Sequence, residues 1–137
     1  MFNVSTRVDY GLILMVELAK KYQQGYVSLA DISKDKQLSA GYLVQIIQPL
    51  VTAKLIESKE GRSGGYQLLR APGDISVLEV LETLDGEVAM VKCLTHGQHT
   101  CAHAAGCDMK TAWPYIIAEV KKTLAKKSLA DVVKEVR

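Results

Sequence analysis

Residues 28–69, SLADISKDKQLSAGYLVQIIQPLVTAKLIESKEGRSGGYQLL, decide the fold. Ser28-Leu-Ala-Asp31 reads as a capping box opening a short helix over residues 29–36, in which a hydroxyl takes a backbone N–H three residues on and the acid reaches back. A second cap, Ser39, follows at once. Leu43, Ile46, Ile47 and Leu50 then recur at helical spacing and predict a helix over residues 40–53. Pro49 falls inside it, where a missing N–H and a clash with the preceding turn predict a kink or early weakening. Leu55–Lys59 alternates as a strand does, Glu60–Gly65 is a turn-rich tip, and Tyr66–Leu69 is a return strand. Two short helices joined by a tight turn and followed directly by a β-hairpin make a winged helix-turn-helix.

The flanks agree. Residues 6–23 read as an amphipathic helix carrying Val8, Leu12, Met15, Val16 and Ala19 on one face, ended by Gln24-Gly25. After a turn at Ala71–Asp74, Ser76-Val-Leu-Glu79 opens another capped helix over residues 77–84. Residues 88–92 are expected to be extended. Residues 109–127 form a long amphipathic helix whose stripe is Met109, Ala112, Trp113, Ile116, Ile117, Val120 and Leu124, with Pro114 near its start. So long a stripe in so small a chain predicts packing against the same helix of a second copy, a homodimer. Ser128-Leu-Ala-Asp131 opens a last short helix. The expected class is mainly α with a small β-hairpin wing. Residues 1–85 are read as the DNA-binding domain, 86–108 as a cysteine-containing loop, and 109–137 as the dimerisation helix with the C-terminal helix.

Composition narrows the function. Apolar content of 48% and charged content of 23% describe an ordinary globular chain. No apolar run approaches the ~20 residues that cross a bilayer, and the N-terminus lacks a signal-peptide pattern. A cytoplasmic protein without membrane partners is the expectation. Residues 1–70 carry nine Lys/Arg against six Asp/Glu, and residues 71–137 carry eight against nine. The N-terminal half is the better placed to meet phosphates.

In a helix-turn-helix the N-terminal part of the second helix faces base edges in the major groove. Those positions are Ser39, Gly41, Tyr42 and Gln45 here. Small residues let the backbone approach, and Gln can pair with adenine. Thr6, Arg7 and Ser28 stand at neighbouring helix starts and are expected to add phosphate contacts. Arg62, between Gly61 and Ser63-Gly64, sits at the wing tip, where an exposed Arg can enter a minor groove. The alternative for Arg62 is a solvated hairpin residue, and the wing and helix could instead dock a protein.

All three cysteines (Cys93, Cys101, Cys107) and all three histidines (His96, His99, His103) lie within fifteen residues. An odd cysteine count argues against a disulfide framework. Thiolates favour soft metals and iron–sulfur clusters. The spacing is C-x7-C-x5-C rather than the paired C-x2-C of zinc ribbons, which weakens a zinc-finger reading. Zinc or a thiol switch stays open. No C-x2-C pair or nucleophile–base pair points to an enzyme.

The chain resembles the Rrf-two family of winged-helix transcriptional regulators. The stretches that carry the resemblance are STRVDYGLILMVELA, VSLADISKDKQLSAGYLVQIIQPL, GRSGGYQLLRAP, ISVLEVLETLDG, the three cysteines and SLADVV, nearly the whole chain. The resemblance implies a homodimer on palindromic, double-stranded promoter DNA, read here as a repressor. Its cluster-binding branch implies an iron–sulfur cluster, [2Fe–2S] or [4Fe–4S], sensing redox, iron or nitric oxide, with Cys93, Cys101 and Cys107 as ligands. The histidine that completes the site in the iron–sulfur assembly regulators is replaced by Lys110. The aspartate that completes it in nitric-oxide sensors, from the first helix of the other subunit, corresponds to Asp9. The alternatives are a surface role for Asp9 or a fourth ligand among the histidines. The seven-residue first spacing, and Val44 and Glu60 where the assembly regulators carry Glu and Arg, depart from the family pattern.

Overall fold

The computed structural model describes residues 3–90 and 104–136. Among them are six α-helices and one two-stranded hairpin: α1 (Thr6–Lys20), α2 (Leu29–Lys36), α3 (Ala40–Thr52), β1 (Ile56–Lys59), β2 (Gly65–Leu68), α4 (Val77–Asp85), α5 (Met109–Lys126) and α6 (Leu129–Glu135). Short 3₁₀ turns stand at Pro72–Asp74 and Ala104–Gly106. This is the expected winged helix.

The core forms where the apolar stripes converge. Leu14, Met15 and Leu18 of α1 meet Leu43, Ile46, Ile47 and Leu50 of α3, with Ile32 of α2, Leu55, Ile56 and Leu68 of the wing, and Val80 and Leu84 of α4. α1 is the central beam: it packs against α3, α4, α6 and β2. Each buried aliphatic side chain contributes ~1.5–3 kcal/mol of transfer free energy.

Chain punctuation differs from the sequence reading in five places. α1 stops at Lys20, short of residue 23, because Gln23 takes a left-handed conformation (φ 63°) before Gly25 does (φ 98°). Ser28 is the N-cap residue of α2, but its side chain makes no capping bond. α3 runs through Pro49 to Thr52; Pro49 costs only the bond to the Gln45 carbonyl, and Gln45 lies on the exposed face. In α5, Pro114 is the sixth residue, beyond the first turn, and is exposed. Residues 88–90 join no strand, and 91–92 lie outside the described residues.

Other caps form as expected. Ser39 Oγ accepts the Tyr42 N–H at 3.3 Å and Ser76 Oγ the Glu79 N–H at 3.1 Å. Ser128 and Asp131 complete a reciprocal capping box. Glu79 does not reach back to its own cap, because its carboxylate is taken by Arg70.

The segment leading into α6 is stitched to the segment leading into α4. The Val77 N–H donates to the Lys127 carbonyl (2.8 Å) and the Leu129 N–H to the Ile75 carbonyl (2.9 Å). Leu129 is thereby fully buried. α5 is held differently. It lies on α4, with Ile117 as its one buried residue and Lys121 Nζ paired to Glu82 (3.5 Å) and Glu87 (2.9 Å). Met109, Tyr115 and Ile116 are exposed, and Ala112, Trp113, Val120 and Leu124 are half-buried. No helix among the described residues is long and apolar enough to cross a membrane.

Candidate nucleic-acid interface and cysteine arm

The interface candidate is built on α2, α3 and the wing. Gln37, left-handed at φ 56°, closes α2, and Ser33 Oγ donates to the Leu38 carbonyl across the turn. The chain re-enters helix at Ser39, so the first turn of α3 is tied down while its outer face stays open. Ser39, Gly41 and Gln45 are exposed. Tyr42 is half-buried, its ring edge-on to Tyr10 of α1 with centroids 5.6 Å apart. That contact leaves the phenol hydroxyl as the part of Tyr42 able to serve a ligand. It also fixes α3 against α1, which positions the reading face.

Thr6 and Arg7 are exposed at the start of α1, behind the Ser5 cap. Ser5 Oγ accepts the Val8 N–H (3.1 Å) and donates to the Asp85 carboxylate (2.6 Å), so the N-terminus is bound to the end of α4. Ser28 is half-buried beside the wing.

The wing carries more structure than its hairpin. β1 and β2 pair antiparallel with Ile56 opposite Leu68 and Lys59 opposite Gly65. Val27 adds an isolated antiparallel bridge to β2, exchanging both backbone hydrogen bonds with Tyr66 (2.8 and 2.9 Å). Two glycines make this possible. Gly65 sits at φ 145°, and any Cβ on it would overlap the Val27 carbonyl; a Cβ on Gly64 would overlap that of Lys59. Arg62 and Ser63 stand exposed at the tip. On the wing's outer face Glu57 accepts from Tyr26 Oη (3.0 Å) and from Gln67 Nε2, and Lys59 lies over the Tyr26 ring at 5.5 Å. The Glu57 carboxylate pushes the Tyr26 phenol above its ordinary pKa. Neither Val27 nor this cluster is legible from local pattern, because a one-residue rung has no periodicity.

Cys93, Cys101, His96, His99 and His103 lie outside the described residues. Cys107 is half-buried immediately ahead of α5, and its carbonyl accepts the Lys110 N–H of the first helical turn (3.3 Å). Asp9 is exposed in the first turn of α1. It borders a groove between α1 and α6 lined by Leu12, Ile13, Val16, Val132 and Val136. Among the described residues no three His, Cys, Asp or Glu side chains converge as a metal site. A thiol and a carboxylate are nevertheless both donors that iron accepts.

Residues 4–135 match the model of the Rrf2 family, described as "Iron-dependent Transcriptional regulator". The chain belongs to the Rrf2 family. Among Rrf2 relatives it is 33% identical over 130 residues to the transcriptional regulator CymR of Bacillus subtilis, covering 95% of this chain and 88% of that protein. It is 33% identical over 131 residues to the transcriptional regulator IscR of Aliivibrio salmonicida, covering 96% and 77%. The structure of CymR (YrzC), the global cysteine regulator of B. subtilis, superposes with a TM-score of 0.82 at 32% identity over 100% of both chains. That of T. potens IscR gives 0.76 at 32%, over 99% of this chain and 89% of the other. This Rrf2 protein is a transcriptional regulator and not an enzyme, as the sequence led one to expect. Sequence identity divides evenly between CymR and IscR.

Proposed function

We propose that this Rrf2 regulator binds palindromic promoter DNA as a homodimer, and that an iron–sulfur cluster switches its affinity. α3 enters the major groove, with Ser39, Gly41, Tyr42 and Gln45 toward the bases. Arg62, Ser63 and Gly64 meet the neighbouring backbone and minor groove, and Thr6, Arg7 and Ser28 contact phosphates. Residues 1–85 do the reading, 86–108 the sensing, and 109–137 the coupling between copies.

One observation carries the sensor reading. Cys107 adjoins the first turn of α5, and α5 lies on α4, with Lys121 paired to Glu82. A ligand on the Cys107 thiol therefore acts on the helix whose open face, Trp113, Ile116 and Val120, is suited to a second copy. Cys93, Cys101 and Cys107 supply three thiolates, and Asp9 of the partner subunit the fourth ligand. Asp9 fits that role in being exposed at the edge of a groove whose lining joins apolar side chains of α1 and α6 to Glu17, Lys20 and Lys36. A bound cluster supplies a centre sensitive to oxygen, nitric oxide and iron supply. The chain's own part is to hold two α3 helices at one separation, since half-sites are gripped together only at a matching spacing. The site sits in a cytoplasmic repressor on this reading.

A second reading keeps the fold and replaces the cluster by zinc or a thiol switch. The similarity to CymR, the global cysteine regulator of B. subtilis, supports it. Iron and acid-labile sulfide analysis of anaerobically purified protein separates the two. Iron with sulfide supports the cluster; zinc, or thiols alone, supports the second reading. An Asp9→Ala variant with an unaltered cluster absorption spectrum removes Asp9 from the ligand set.

A further inference from the structure

α3 contains no Lys, Arg, Asp or Glu. Its buried face is Leu43, Ile46, Ile47 and Leu50. The complementary face, at spacings of three and four, is Gly41, Val44, Gln45 and Gln48, all exposed. Val44 is 44% exposed, a branched apolar side chain held out from a helix whose core face is already complete. It packs into no part of the described core. Gly41, one turn earlier, has open space around it: a Cβ there would meet only Ser39 Oγ, at 3.9 Å. The helix can therefore approach a groove floor closely, with Val44 and Gln45 leading.

The chemistry on that face selects among base pairs by what it lacks. Guanine is read by the paired donors of Arg or Lys, and cytosine by a carboxylate acceptor. Neither is present. A thymine offers a C5-methyl group, whose natural partner is an apolar side chain, and an adenine offers N6 and N7, which a Gln amide meets with one acceptor and one donor. Val44 and Gln45 match these two bases. We propose that Val44 and Gln45 are specificity-determining residues reading an A·T-rich half-site, with Val44 against a thymine methyl and Gln45 paired to an adenine edge. This rests on α3 being the helix that lies in the major groove. Successive helical residues rise ~1.5 Å and diverge by ~100°, so the two side chains reach neighbouring base pairs rather than one.

The test uses the purified full-length chain. Selection from a randomised duplex library identifies its preferred site, and fluorescence anisotropy measures affinity for that site. Uracil then replaces each thymine in turn, removing the methyl group and nothing else. At one thymine per half-site the wild type is expected to lose about fourfold in affinity, the worth of one buried methyl group. Val44→Ala is expected to bind the thymine and uracil duplexes equally, with its thermal midpoint unchanged because the side chain is exposed. Gln45→Ala is expected to relax the preference for adenine at the adjacent position. A preferred half-site of G·C pairs beneath α3, or a wild type indifferent to uracil at every position, overturns the proposal while leaving α3 as the reading helix. Failure to bind any duplex at low salt overturns both.

Discussion

Arg70 leaves the end of the wing and places both terminal guanidinium nitrogens on the Glu79 carboxylate of α4, at 2.8 and 2.6 Å. The second nitrogen also donates to the Asp74 carbonyl at 2.7 Å. One side chain thus joins wing, turn and α4, and α4 carries α5. Both partners are more than a third exposed, so solvent weakens the pair, yet its bidentate geometry is the kind that retains value. Arg70→Lys loses the fork while keeping the charge, and is expected to cost about 1 kcal/mol. Thermal unfolding of the variant checks this, with a midpoint lowered by ~3 °C. An unchanged midpoint would show the clamp to be stability-neutral.

The wing depends on backbone packing more than on side chains. Gly65→Ala places a Cβ into the Val27 carbonyl at a φ that L-residues avoid. A loss of ~2–3 kcal/mol is expected, from overlap and strain together. Hydrogen exchange at Tyr66 and Val27 reads it directly, since their mutual bonds should open before the α1–α3 core does.

The C-terminal helix is set by the Ser128–Asp131 box. Ser128 Oγ accepts the Asp131 N–H (3.2 Å), and Asp131 accepts the Ser128 N–H (3.0 Å). Ser128→Ala is expected to cost about 1 kcal/mol. The Ser128 backbone N–H, then its hydroxyl, hold the Asp131 carboxyl below the ordinary aspartate range. Its contribution is therefore present at neutral pH and fades as pH falls through that lowered value. Asp131→Asn should flatten this part of the acid dependence in unfolding curves taken between neutral pH and pH ~3. An identical acid dependence in both proteins would remove Asp131 as its source.

The open stripe on α5 should respond to charge without disturbing the winged helix. Ile116→Asp places a carboxylate on the face bearing Trp113 and Val120, away from the buried Ile117. Sedimentation should show a monomer with an unchanged helical circular dichroism spectrum. A variant that still dimerises would move the interface elsewhere.

Most of the fold was legible because it is written in local signals. Ser39 and Ser128 announce helix starts, Leu43–Leu50 a buried face, and Gly64-Gly65 a tight wing. What was missed depends on which partner each group takes in the folded chain. Ser28 looks like a cap, but its side chain makes no capping bond. Glu79 looks like half of a capping box, yet Arg70, nine residues earlier, holds it. Pro49 looks disruptive, but α3 continues through it to Thr52. The candidate site divides similarly. Ser39, Gly41 and Gln45 are exposed where the pattern put them, while Tyr42 is tethered by Tyr10, a contact between helices that no spacing encodes. The exposed face of α3 could have been read in full as the complement of its buried one, which adds Val44 and Gln48.

Coupling between the cysteine arm and DNA is tested most directly by one titration. Anaerobically prepared full-length protein, with iron and sulfide quantified, is titrated against its selected duplex before and after exposure to nitric oxide. The expected result is iron with inorganic sulfide in the starting protein and a dissociation constant that shifts by about 5- to 150-fold on treatment, the range of an allosteric coupling. Superimposable binding curves, or a protein that carries zinc and no sulfide, would contradict it.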